Sequence, residues 1–150
     1  MRRIGLDKRK NMKRNKPPEF VPSVSNYLYA FKEIEDQMTN NHFLLLQAHY
    51  NSDCHITTAT TLAAKLDYKG AGGAKLQYGR LGSMVSNVLG LGSLGVITLV
   101  LMTPPDKFAV KEWLWVMRGN VVEALEKLKW VEKTSHLFYP NGMVGVNFDK

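Results

Sequence analysis

The side chains with the greatest chemical capacity in this chain sit close together: Asp53, Cys54 and His55 are consecutive, and His49 lies six positions earlier. Such a grouping suggests either a zinc site or a thiol beside a base. The residue counts argue against both. Structural zinc takes four ligands, usually in paired short spacings, and Cys54 is the only cysteine. A cysteine nucleophile needs a base that a third group orients, and adjacency in sequence does not provide that arrangement. Two glycine-rich runs, KGAGGAK (Lys69 to Lys75) and GLGSLG (Gly90 to Gly95), invite a phosphate-loop reading. Neither ends in Lys-Ser or Lys-Thr, and GLGSLG is followed by a β-branched run where a dinucleotide fingerprint requires a helix. His49 reads as a helix-face residue packing near Tyr50, and His42 and His136 as surface or cap positions. The expectation is a protein that is not an enzyme, with no catalytic residue, metal or cofactor.

What remains is charge, and it is concentrated. Residues 1 to 16 carry eight cations (Arg2, Arg3, Lys8, Arg9, Lys10, Lys13, Arg14 and Lys16) against one acid, Asp7, which equals the whole net charge of +7. The other 134 residues hold twelve basic and twelve acidic groups. Apart from Ile4 the first sixteen residues lack β-branched and aromatic side chains, so they bury too little apolar surface to offset ordering entropy and read as a disordered basic arm. Eight cations in a row of this kind suit phosphates or a minor groove. A solubility tail or a non-specific RNA-binding segment fits the same composition. A single thiol favours a reducing compartment, and no apolar core follows the basic start as a secretory signal would require, so a cytoplasmic location is expected.

The elements that position these groups follow from periodicity. Tyr27, Phe31, Ile34 and Met38 recur every three or four residues and predict a first helix at about 24 to 37. Phe43, Leu44, Gln47, Ala48 and Tyr50, after Thr39 to Asn41 as caps, predict a second at about 41 to 50. A short third helix starts after Thr57 and Thr58 and ends near Tyr68. KGAGG predicts a turn, and a fourth helix runs from Ala74 to Leu89. Its apolar side holds Ala74, Tyr78, Leu81, Met84, Val85 and Val88; its other side holds Lys75, Gly79, Arg80, Ser83, Ser86 and Asn87. Val96 to Met102 and Glu112 to Met117 read as two strands of a hairpin, followed by a helix at 120 to 129. Leu137 to Tyr139 and Met143 to Val146 flank a Pro-Asn-Gly turn and predict a short C-terminal hairpin. Residues 81 to 105 carry no charge, but Gly82, Ser83, Ser86, Asn87, Gly90, Gly92, Ser93 and Gly95 divide the stretch into a helix and a strand, so no membrane span is expected.

The expected fold is α+β: a winged helix-turn-helix, mostly helical, with a β-hairpin wing. Residues 1–16 form the arm, 17–132 the domain and 133–150 a C-terminal hairpin extension packed on it. The run TTATTLAAKLDYKGAGGAKLQYGRLG (Thr57 to Gly82), with Ala48-His49-Tyr50 before it and Trp113 to Met117 after it, resembles a bacterial winged-helix module that accompanies HNH-type nucleases in restriction-related proteins. The likeness spans about residues 40 to 131. It departs at Lys75, where that group tends to have Asn, and at Gly119 and Asn120, where Pro-Glu tends to follow Met-Arg. The resemblance implies DNA binding in a regulatory, phage- or restriction-related setting, with the nuclease domain missing.

On that reading the fourth helix is the recognition helix. Gly79, Gly82, Ser83 and Ser86 are small enough for a backbone to approach, although they equally suit packing of one helix on another. Arg80 can bond a guanine edge bidentately, Lys75 can meet phosphate or guanine, and Gln77 can read adenine. Lys107 and Lys111, beside Asp106, offer two phosphate contacts at the wing. Double-stranded DNA is the expected partner, with RNA open. The alternative is a protein-docking module, which an exposed apolar face around Trp113, Trp115 and Trp130 would favour.

Overall fold

A computed structural model describes residues 21–105 and 111–133. The first helix, α1 (Val24–Ile34), starts where Ser23 and Asn26 bond each other's backbone amides in a capping box. It continues as a short 3₁₀ turn over Glu35–Gln37, and buries Tyr27, Ala30, Phe31 and Ile34 at the predicted spacing. The second, α2 (Asn40–Tyr50), is capped by Thr39, whose hydroxyl accepts from the His42 amide while His42 Nδ1 accepts from the Thr39 amide. A 3₁₀ turn at Asp53–His55 leads into β1 (Ile56–Thr57).

Thr58 caps α3 (Ala59–Lys65). This helix stops before the predicted end near Tyr68, because Asp67 turns left-handed (φ 62) and the Tyr68 amide bonds back to Ala63. The expected KGAGG turn is shorter than its composition suggests. α4 (Ala71–Val88) starts within it, with only Gly70 extended as its cap. Two glycines in a first turn cost roughly 1 kcal/mol each in propensity. The offset is packing: the Tyr68 ring lies so close to Gly73 that a Cβ there would meet Cδ1 at 3.0 Å.

After α4 the chain turns through Gly90, Gly92 and Gly95, all at positive φ. The strand predicted from Val96 begins late: Gly95–Thr98 is a 3₁₀ turn and only β2 (Val100–Thr103) is extended. Side chains from elsewhere hold that turn shut, since the Tyr27 hydroxyl donates to the Thr98 carbonyl at 2.6 Å and serines of α4 accept from its first amides. β2 pairs antiparallel with β3 (Leu114–Met117), from Val100 opposite Met117 to Thr103 opposite Leu114. β3 also pairs with β1, which local sequence pattern does not announce, giving a three-stranded antiparallel sheet in the order β1-β3-β2.

The last described helix is α5 (Gly119–Leu128), ended by left-handed Lys129. It buries Val121, Ala124 and Leu125, and Asn120 donates to the Pro22 carbonyl at the start of the domain. Trp130 then packs edge-on against Phe31 and Phe43, at 5.3 and 4.9 Å between ring centroids. The described chain is thus α+β and mostly helical around one small sheet. Among the described residues no helix is long and apolar enough to cross a membrane. The predicted C-terminal hairpin, His136, Lys107 and the basic arm lie outside the described residues.

Candidate nucleic-acid interface

The segment from Ala59 to Val88, α3 through α4, carries Lys65, Lys69, Lys75 and Arg80 against Asp67 alone. Its charge is +3 inside a 17–150 region that is neutral as a whole. All four cations are exposed, and among the described residues none of them makes an ion pair. Lys65 and Lys69 carry no signal in the sequence, because each is unremarkable until α3 and α4 are placed side by side.

On α4 itself the outward stripe holds Gly72, Lys75, Leu76, Arg80 and Asn87, with Gln77, Gly79 and Ser83 half-buried. Lys75, Gly79 and Arg80 therefore stand together as predicted. The small-residue stripe as a whole does not. Gly82 and Ser86 are buried, and Ser83 Oγ accepts from the Gly95 amide at 3.0 Å while Ser86 Oγ accepts from the Leu94 amide at 3.0 Å. These positions hold the glycine loop against α4, so the surface available to a ligand is narrower than the helical wheel suggests. Lys111 is exposed on the approach to β3.

His42 meets α4 from the side. Its Nδ1 accepts a backbone N–H, so in the neutral ring the proton sits on Nε2. That nitrogen is buried and makes no hydrogen bond. Burial lowers the His42 pKa, the Gln77 amide opposes this, and the Arg80 charge lowers it further.

The Asp53 to His55 group with His49 does not converge on a site. His49 lies on α2 next to Tyr50 and is fully buried in the core. Its Nε2 lies 2.9 Å from the Trp115 carbonyl and its Nδ1 2.8 Å from the Tyr78 hydroxyl. A carbonyl only accepts, so Nε2 carries the proton and Nδ1 accepts from Tyr78. Burial holds the His49 pKa down at about 4 and raises that of Tyr78 well above its ordinary value. His55 turns back instead, its Nδ1 donating to the Tyr50 carbonyl at 2.7 Å and its ring tilted on that of Tyr50. Cys54 is exposed. Among the described residues no three His, Cys, Asp or Glu side chains are grouped to hold a metal.

Of the three tryptophans, Trp115 is buried, Trp130 is packed among aromatic rings and only Trp113 is about half exposed. The apolar surface is found elsewhere, at Leu76 on α4 and along the outer row of the sheet, Ile56 and Leu101 flanking Val116. No protein-family model, curated protein or solved structure matches this chain.

Proposed function

We propose that this chain is a winged-helix DNA-binding protein in which α4 enters a major groove and the β2-β3 hairpin lies against the backbone. One observation carries the reading. The order α2-β1-α3-α4-β2-β3, with β3 central in its sheet, supports a helix-turn-helix followed by a wing, with Lys75, Gly79 and Arg80 of α4 on the side away from the core. The +3 charge of the α3-α4 unit adds to it. The eight cations of residues 1 to 16 would neutralise phosphates alongside. A phage- or restriction-related role is proposed from the sequence resemblance alone.

Two measurements test this. Replacing Lys75 and Arg80 together with alanine should weaken duplex binding by roughly a hundredfold, about 1–3 kcal/mol for an Arg that bonds a base edge and less for a Lys at phosphate. A gel shift that leaves affinity and sequence preference unchanged removes α4 from the groove. Deleting residues 1 to 16 should flatten the dependence of log K on log salt, by about 0.9 for each phosphate no longer neutralised. An unaltered slope would show that the arm does not meet phosphate.

A second reading, a protein-docking module, is favoured by Leu76. It is 52 % exposed between Lys75 and Arg80, where a groove-binding helix more often carries a polar residue. Leu76→Ala separates the two: a docking face loses its partner, whereas duplex affinity changes little.

A further inference from the structure

The sheet has one covered face and one open one. Thr57, Val100, Trp115 and Met117 are buried against the core, so the alternate positions of each strand point the other way. Register places three of these in a single row, Ile56 opposite Val116 and Val116 opposite Leu101, with Leu114 opposite Thr103 beside it. None of the five side chains carries a charge. Ile56 and Leu101 are 36 % and 47 % exposed, whereas the open face of an antiparallel sheet ordinarily carries polar residues. Contiguous apolar surface of this kind marks an interaction site.

Two observations point to its occupant. The described chain ends at Lys133, which lines one cleft with His55 and Met117, and these two are the sequence neighbours of Ile56 and Val116 in the row. The fifteen residues that follow, 134 to 148, contain no Asp, Glu, Lys or Arg and carry Leu137, Phe138, Met143, Val144, Val146 and Phe148. Unlike residues 1 to 16, they hold enough apolar surface to offset the entropy of being ordered. Reach is ample. The row is about 10 Å across, two strand spacings, and an extended chain covers that in about three residues. We infer that residues 134–148 lie across the outer face of the sheet, with apolar side chains on Ile56, Val116 and Leu101. The inference is independent of the DNA-binding reading. It gives the sheet face an occupant from this chain, so a docking partner would have to use another surface, such as that around Leu76.

The test uses the full chain with a nitroxide on Cys54, its single cysteine, which is exposed two residues before Ile56. In ¹⁵N spectra the amides of residues 143–148 should lose most of their intensity and regain it when the nitroxide is reduced. Tethering at Lys133 gives some loss by itself, so the deciding quantity is the change on substitution. Leu101→Asp, at a half-exposed position, and Val144→Asp, in the segment itself, should each cut the loss several-fold while the spectrum of residues 21–133 keeps its dispersion. The second variant decides alone if the first disturbs the sheet. A loss that survives Val144→Asp overturns the inference, as does the absence of loss in the wild-type chain. Mixing nitroxide-bearing ¹⁴N protein with ¹⁵N protein that lacks the nitroxide should leave the same amides at full intensity. Loss in that mixture overturns the inference and assigns the row to a second copy.

Discussion

Gly82→Ala should destabilise the fold even though alanine is the better helix former. Propensity favours the change by about 1 kcal/mol. Against that, a Cβ on residue 82 would stand 2.1 Å from the Gly95 carbonyl oxygen and 2.7 Å from its carbon. Both are backbone atoms, and the loop that carries them is held by Ser83, Ser86 and Tyr27. It cannot yield without breaking those bonds, so overpacking wins by about 3 kcal/mol, roughly 10 °C in Tm. Gly79→Ala, one turn earlier, is the control of opposite sign. Nothing lies within 4 Å of a Cβ there, so propensity acts alone and stability should rise by about 1 kcal/mol. Thermal unfolding that shifts the two variants in the same direction would refute the close approach of α4 to its following loop.

The second large effect centres on His49. In the native protein this ring stays neutral until about pH 4, whereas in the unfolded chain it takes up a proton near its ordinary value of 6.5. Between those limits the unfolded state binds the extra proton, so stability is complete above about pH 6.5 and declines as pH falls toward 4, by up to about 3 kcal/mol. His42, whose pKa burial also lowers, adds in the same direction. His49→Leu keeps much of the volume but leaves the Tyr78 hydroxyl and the Trp115 carbonyl facing an apolar group. It should cost about 3 kcal/mol at pH 7, and the gap to wild type should close as the pH is lowered. Denaturant titrations at several pH values read both, and parallel pH profiles for the two proteins would rule out the buried neutral imidazole.

Local signals carry much of the architecture. Ser23, Thr39 and Thr58 announce helix starts because a side chain that caps an amide acts within three residues. The apolar spacing of Tyr27, Phe31 and Ile34 announces which face turns inward. The failures are all tertiary. β1 is two residues long and exists only because Ile56 and Thr57 lie against Val116 and Trp115. Residues 95–98 have the β-branched character of a strand but bend to satisfy Tyr27 and two serines. Ser83 and Ser86 mimic a ligand-facing stripe because a wheel shows angle and not neighbour. The hydrogen-bond partners of His49 are hidden in the sequence because they come from α4 and β3. Within the candidate site, Lys75 and Arg80 are legible as outward cations, whereas the addition of Lys65 and Lys69 requires α3 and α4 to be placed together.

The bonds that fasten α1 and α2 in place also set an order of events during synthesis. Tyr27 finds its acceptor 71 positions downstream at Thr98, His49 reaches Trp115 over 66, and the Pro22 carbonyl receives Asn120 across 98. A chain leaving the ribosome from its N-terminus forms these helices in well under a millisecond, yet their partners emerge seconds later. Until Trp115 and Asn120 are clear of the exit tunnel, the faces bearing Tyr27, Phe31, Leu45 and Leu46 have only part of their core, chiefly α4, to pack against. The nascent protein must therefore carry these two helix faces only partly covered until α5 and β3 have been made.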